Sequence, residues 1–133
     1  MKTTQIRGAD GSLYLERTVL LRVRGWELVI HRFHRSDSDP HPHDHSRGFW
    51  SMMLWGGYIE EFHHPDGEVE YRTVLPGMVI RREAEDRHRI LLRYNRKATT
   101  LLFRGPEVRD WYFWVSPRYP IPWREYVFHG RRV

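Results

Sequence analysis

The sequence contains no cysteine, only two lysines (Lys2 and Lys97) and no long apolar run. Absence of cysteine excludes disulfide frameworks, thiolate zinc sites and cysteine nucleophiles. No segment approaches the roughly 20 apolar residues a helix needs to cross a bilayer, so no membrane partner is expected. Residues 1–8 are too polar to supply the roughly 7–15-residue apolar stretch of a secretory signal, and the expected location is cytoplasmic.

What the chain does have is arginine, histidine and aromatic residues. The 22 basic residues outnumber 17 acidic ones for a formal charge of +5. Guanidinium forks suit phosphate or carboxylate. Yet the acidic residues are interleaved with the arginines and no block of five or six like charges occurs, so solvated faces are the first reading and nucleic-acid binding is disfavoured. Were nucleic acid bound, Arg81, Arg82, Arg87, Arg89, Arg93 and Arg96 would supply one patch on an outer sheet face.

A length of 133 residues fits one domain. Turn signals at Asp10-Gly11, Arg24-Gly25, Ser36-Asp37-Ser38-Asp39-Pro40, Gly56-Gly57, Pro65-Asp66-Gly67, Pro76-Gly77, Tyr94-Asn95 and Gly105-Pro106 leave pieces too short for most helices. Those pieces, at 13–23, 26–34, 49–55, 58–63, 69–74, 78–82, 88–94, 99–103 and 111–115, are rich in β-branched and aromatic residues. Several alternate with period two. His88, Ile90, Leu92 and Tyr94 share one face while Arg89 and Arg93 take the other. The expectation is a single all-β domain over 1–133, a jelly-roll β-barrel with its core at about 13–115. The Pro- and aromatic-rich tail, 116–133, cannot be a central strand because each proline removes a ladder donor. Its Tyr119, Trp123, Tyr126 and Phe128 are expected to cover a barrel end or sheet edge, or to meet a second subunit.

The main chemical signal is Pro40-His41-Pro42-His43-Asp44-His45, just ahead of the strand at 49–55. Residues i and i+2 of an extended chain project from one face about 7 Å apart, so His43 and His45 can converge on one ion. A third ligand must come from another strand facing the same interior, and His88 meets that condition. Three imidazoles suit Fe(II), Zn, Ni or Mn and leave positions for water, oxygen or substrate. His41 is a weaker candidate between two prolines, His31 and His34 fall on opposite faces, His63 and His64 flank a turn, and His129 lies in the tail. Asp44 points away from its neighbours and is suited to holding an imidazole or backbone group.

These residues resemble the cupin superfamily. With His43-x-His45 as the opening of the first cupin motif, Gly56 or Gly57 falls at its closing glycine. The second motif lies over Gly77, Glu83, Glu85, His88 and Leu92, matching in residue type at Gly77 and His88. The wider pattern, with Leu54-Trp55-Gly56-Gly57-Tyr58 and Gly105-Pro106, is similar to small cupin-like proteins of bacteria and phages. The resemblance implies a cupin-type jelly roll around a metal, in a family where homodimers are usual. The customary glutamate ligand is replaced by Phe49 and Trp50, which resembles the three-histidine, cysteine-dioxygenase type of cupin.

The resulting expectation is a small mononuclear metal-dependent enzyme, with Fe(II) favoured, that acts as a dioxygenase on a small metal-chelating substrate. Parity places Phe49, Ser51 and Met53 beside the histidines in a mainly apolar cavity, with Ser51 and Tyr94 as its polar, substrate-orienting groups. No arginine is placed on the inner face, which, with the missing carboxylate ligand, argues against a 2-oxoglutarate mechanism. The competing reading is a non-catalytic binding module for a small molecule or protein, with a structural metal or none.

Overall fold

The computed structural model describes residues 1–7, 11–37 and 40–125, with only the backbone at residue 95. Tyr126, Phe128 and His129 of the tail, and Asp10, Ser38 and Asp39 of the expected turns, lie outside the described residues. Among the described residues the order is β1 (Lys2–Arg7), β2 (Leu13–Val23), β3 (Trp26–Phe33), β4 (Phe49–Trp55), β5 (Tyr58–His63), β6 (Val69–Val74), β7 (Val79–Arg82), β8 (Arg87–Leu92), β9 (Ala98–Arg104), β10 (Tyr112–Ser116) and β11 (Tyr119–Pro122). The all-β expectation holds.

Two sheets make the jelly roll. One runs β1-β2-β3-β9-β4-β7 and the other contains β6-β5-β8, with β10-β11 beyond it. Residue His43 joins these last two groups, forming antiparallel bridges to His88 on one side and to Phe113 on the other. The inner faces meet over Leu15, Phe33, Met53, Tyr58, Val74, Ile80, Ile90, Leu92 and Ala98, the packed apolar floor of the barrel.

Two strands were absent from the sequence expectation. β1 has one aliphatic residue in six and is almost wholly exposed, held by its ladder to β2 and not by apolar burial. β11 carries Pro120 and Pro122 yet pairs with β10, which a strand at a sheet edge tolerates because its missing donors face no ladder. The tail thus covers a sheet edge, and its Trp123 stacks on Trp111 with ring centroids 5.5 Å apart.

The strand expected over 88–94 stops at Leu92. Arg93–Asn95 closes into a single 3-10 turn in which Tyr94 takes a left-handed φ of 51°. That break throws Tyr94 outward, where it is 83% exposed, so it does not reach the interior. Four of the six arginines around the second motif have partners of their own. Arg82 turns inward onto Glu60, Arg81 pairs with Glu83 at 3.1 Å, Arg87 lies 3.3 Å over the Trp114 ring, and Arg89 meets Glu61 at 3.1 Å.

Candidate metal centre

Residues His43 to His45 form an extended rung inserted between two strands. The His43 N–H donates to the His88 carbonyl at 3.0 Å, the His88 N–H returns a bond at 2.9 Å, and the Asp44 N–H donates to the Tyr112 carbonyl at 3.0 Å. Parity then does the rest. His43 and His45 face the interior, while buried Asp44 turns the other way and accepts from the Tyr112 N–H at 2.7 Å and the Trp114 Nε1–H at 2.9 Å. Arg109 lies 3.0 Å from Asp44 Oδ2, the oxygen that also accepts from Trp114. Asp44 therefore anchors β10 through a backbone group and an indole, and among the described residues it holds no imidazole. Burial pushes its carboxyl above the usual range, against the pull of Trp114, Tyr112 and Arg109.

His88 arrives from β8, and the three histidines each offer a ring nitrogen within 4.8 Å of the others. His45 Nε2 and His88 Nε2 face each other at 3.1 Å. Two metal–nitrogen bonds of about 2.0–2.1 Å at roughly 90–110° would span about 2.9–3.4 Å, so the pair fits a divalent ion of the zinc or iron class. Burial lowers His43 to about 4, an effect deepened by His88 and opposed by Asp37. Burial likewise holds His45 well below the usual histidine value, with His88 and His43 adding to it and the Asp86 backbone opposing. Both rings are neutral at pH 7, the state a ligand requires.

Behind His88 stands a residue that sequence reasoning missed. His88 Nδ1 lies 2.8 Å from Glu60 Oε2, and Glu60 is fully buried in an ion pair with Arg82. Burial alone would raise Glu60, but hydrogen bonds from His88 and Arg82 bring it down to about 2. A carboxylate fixing the far nitrogen of a ligand histidine is a common feature of metal sites. His43 Nδ1 has a looser neighbour, Asp37 Oδ2 at 3.9 Å. Asp37 is itself held by the Tyr14 hydroxyl and by the Ile90 N–H at 2.7 Å.

The histidines open on a cavity of about 490 Å³. Buried Ser51 lines it as expected and hydrogen-bonds the Tyr58 hydroxyl, which burial pushes upward in pKa. Phe49, Phe113 and Trp111 give it an aromatic wall around His43 and His45. It is mainly apolar, as expected, but Arg17, His31, Thr100 and Arg104 also line it. The absence of inner arginines expected from sequence is thereby corrected. Arg17 follows Leu15 by two residues on β2, and that spacing after a core leucine was the available signal. Among the other histidines, His34 pairs with Glu16, His63 with Glu61 and His64 with Glu70, and neither these nor His41 belongs to the metal-ligating group.

No family model matches the sequence, and no curated protein matches it. Solved structures match in three dimensions. A cupin-2 domain protein of Rhodospirillum rubrum superposes with a TM-score of 0.64 at 12% identity, covering 83% of this chain and 72% of that one. A candidate mannose-6-phosphate isomerase of Ralstonia eutropha gives 0.58 at 18% identity, over 68% of this chain and 82% of its own. HppE crystallised with Fe(II) gives 0.62 at 12% identity over 77% of this chain, and the match spans 56% of HppE. Sheet order, barrel and superpositions agree that the chain has the cupin fold, with His43, His45 and His88 gathered inside it.

Proposed function

We propose that the protein is a small mononuclear metalloenzyme in which His43, His45 and His88 hold one divalent ion, Fe(II) being favoured. The observation that carries this reading is the convergence of three imidazole nitrogens within 4.8 Å on a cavity of small-molecule size. Glu60 adds support, because a buried carboxylate on the far nitrogen of His88 keeps its Nε2 lone pair facing His45. Three protein ligands leave coordination positions open, as catalytic sites do and closed structural sites do not. An ion held there would supply Lewis-acid or oxygen-binding chemistry to a small chelating substrate, and the three-histidine donor set favours an oxygen-dependent conversion. The Fe(II) in HppE agrees with that choice of metal. The chain's own residues shape the rest: Ser51 and the aromatic wall orient the substrate and exclude water.

The test is elemental analysis of untagged protein, wild type beside His43→Ala and His88→Ala, followed by oxygen uptake with chelating thiols and dicarbonyls. About one metal per chain, lost in both variants, with oxygen consumed by the iron-loaded protein, is the expected result. Absence of metal and of uptake by metal-free protein overturns the reading in favour of a binding module. Partners are proposed on the same terms: a small-molecule substrate, no nucleic acid and a homodimer, the last checked by light scattering.

A further inference from the structure

On the inner face of the six-stranded sheet, Arg17, His31 and Thr100 stand in one cross-strand row, since Arg17 pairs with His31 and His31 with Thr100 in register. All three line the cavity that holds the histidine triad. Arg17 Nε donates to His31 Nε2 at 3.0 Å, so the neutral ring takes one of five N–H donors and offers no compensating charge. Burial and the charges of Arg17 and Arg104 hold His31 well below the usual histidine value, so the ring stays neutral.

Charge balance at this end of the cavity is uneven. Among the described residues no carboxylate pairs with Arg17. The acidic group whose field reaches it, Glu27, is occupied by Arg104 at 2.6 Å and Arg22 at 2.5 Å, with Arg47 a further 3.9 Å neighbour. Burial and Arg104 lower Arg17 to about 10, still charged at neutral pH. Thr100 supplies the second, independent observation. Its side chain is 1% exposed and its hydroxyl has no hydrogen-bond partner. Buried hydroxyls are satisfied as a rule, and one left without a partner on a residue that lines a cavity is a group that a ligand or a water would complete.

We propose that Arg17, with the Thr100 hydroxyl beside it, anchors the anionic oxygen group of a small organic acid whose other end reaches the three histidines. The planar fork accepts a carboxylate or a phosphate through paired N–H bonds, and the hydroxyl donates a further one. This names the substrate class of the proposed metalloenzyme and rests on that reading for the reacting end alone. The anchor itself needs no metal.

The experiment is calorimetry on metal-free protein at fixed ionic strength, with malonate, inorganic phosphate and the uncharged malonamide as probes. Malonate or phosphate is expected to bind where malonamide does not, and the tighter of the two identifies the anionic group. Arg17→Met should abolish binding and Arg17→Lys restore part of it. Thr100→Val, which deletes a hydroxyl without a partner at nearly constant size, should weaken binding about tenfold while leaving the melting temperature unchanged or higher. That variant carries the test if Arg17→Met does not fold, and a merely structural role for Thr100 predicts no such pattern. Anions binding no better than malonamide, or undiminished in folded variants, would overturn the anchor. Metal content is measured separately on the same preparations, so anion binding without metal uptake overturns the metal reading and leaves the anchor standing.

Discussion

The Nδ1 of His88 lies 2.8 Å from Glu60 Oε2, and its Nε2 lies 3.1 Å from the Nε2 of His45. One ring thus joins a buried carboxylate to the proposed ligand cluster, and the carboxylate decides which nitrogen carries the proton. Replacing Glu60 by Gln keeps the size but removes the charge that favours a proton on Nδ1. It also leaves Arg82, a largely buried guanidinium, without its partner. Metal affinity should fall roughly 10–100-fold in Glu60→Gln, measured by competition with a chelating dye. An unchanged affinity would mean that Glu60 serves only Arg82.

Acid should destabilise the metal-free protein through the same histidines. With His43 at about 4 when folded and near 6.5 when unfolded, the unfolded chain binds a proton that the folded one refuses throughout that interval. His43 therefore costs no stability through its charge above about pH 6.5, and stability declines progressively as pH falls toward about 4, by at most about 3 kcal/mol. Denaturant titrations at pH 7, 6, 5 and 4 should show this decline, and His43→Gln should show a shallower one. His45 is shifted in the same direction, so part of the wild-type slope persists in that variant.

Asp44 offers a separate test, of the frame and not of the ion. Its carboxylate is fully buried and holds Tyr112, Trp114 and Arg109, which fastens β10 to the rung carrying His43 and His45. Asp44→Ala leaves Arg109 and two N–H groups without that acceptor, and the loss should be on the order of 3 kcal/mol or more in chemical denaturation. Asp44→Asn keeps one acceptor oxygen and should lose less. Equal losses in the two variants would show that charge, not hydrogen bonding, fastens the strand.

Period-two alternation explains what was legible beforehand. It turned His43 and His45 one way and Asp44 the other, and it sent His88 and Ser51 inward, because these strands run straight through the residues in question. It failed at Tyr94, where a left-handed residue ends the strand two positions early. The Tyr94-Asn95 pair is itself a turn signal, and it outweighs the β-pattern that precedes it. Glu60 was illegible for another reason. Glu60 and Glu61 are both buried on opposite faces of β5, so composition carries no sign of which one looks inward. Arg17 was obscured in the same way, since charge on a strand ordinarily marks the solvent side. Inside this barrel Arg82 compensates the buried charge of Glu60, whereas Arg17 has no carboxylate partner among the described residues.

Gly56 ties the resemblance at the closing glycine of the first motif to a steric requirement. It links β4 of one sheet to β5 of the other at a φ of +81°, and a Cβ there would stand 2.2 Å from the Lys97 carbonyl oxygen and 3.0 Å from the Ala98 Cα. The nearest atoms are all backbone, of Lys97 and Ala98, so no flexible side chain is there to yield. Gly77 has a similar φ of +90°, but nothing lies within 4 Å of its would-be Cβ. Gly77→Ala should therefore cost only the conformational penalty, about 1 kcal/mol, whereas Gly56→Ala adds the clash and should cost about 3 kcal/mol or more. Because β5 carries Glu60 toward His88, the displacement at Gly56 should also weaken metal binding, while Gly77→Ala leaves it intact. Paired denaturation and dye-competition measurements on the two variants decide the matter: equal losses would mean that φ alone, and not the approach of the Lys97–Ala98 backbone, requires glycine at this junction.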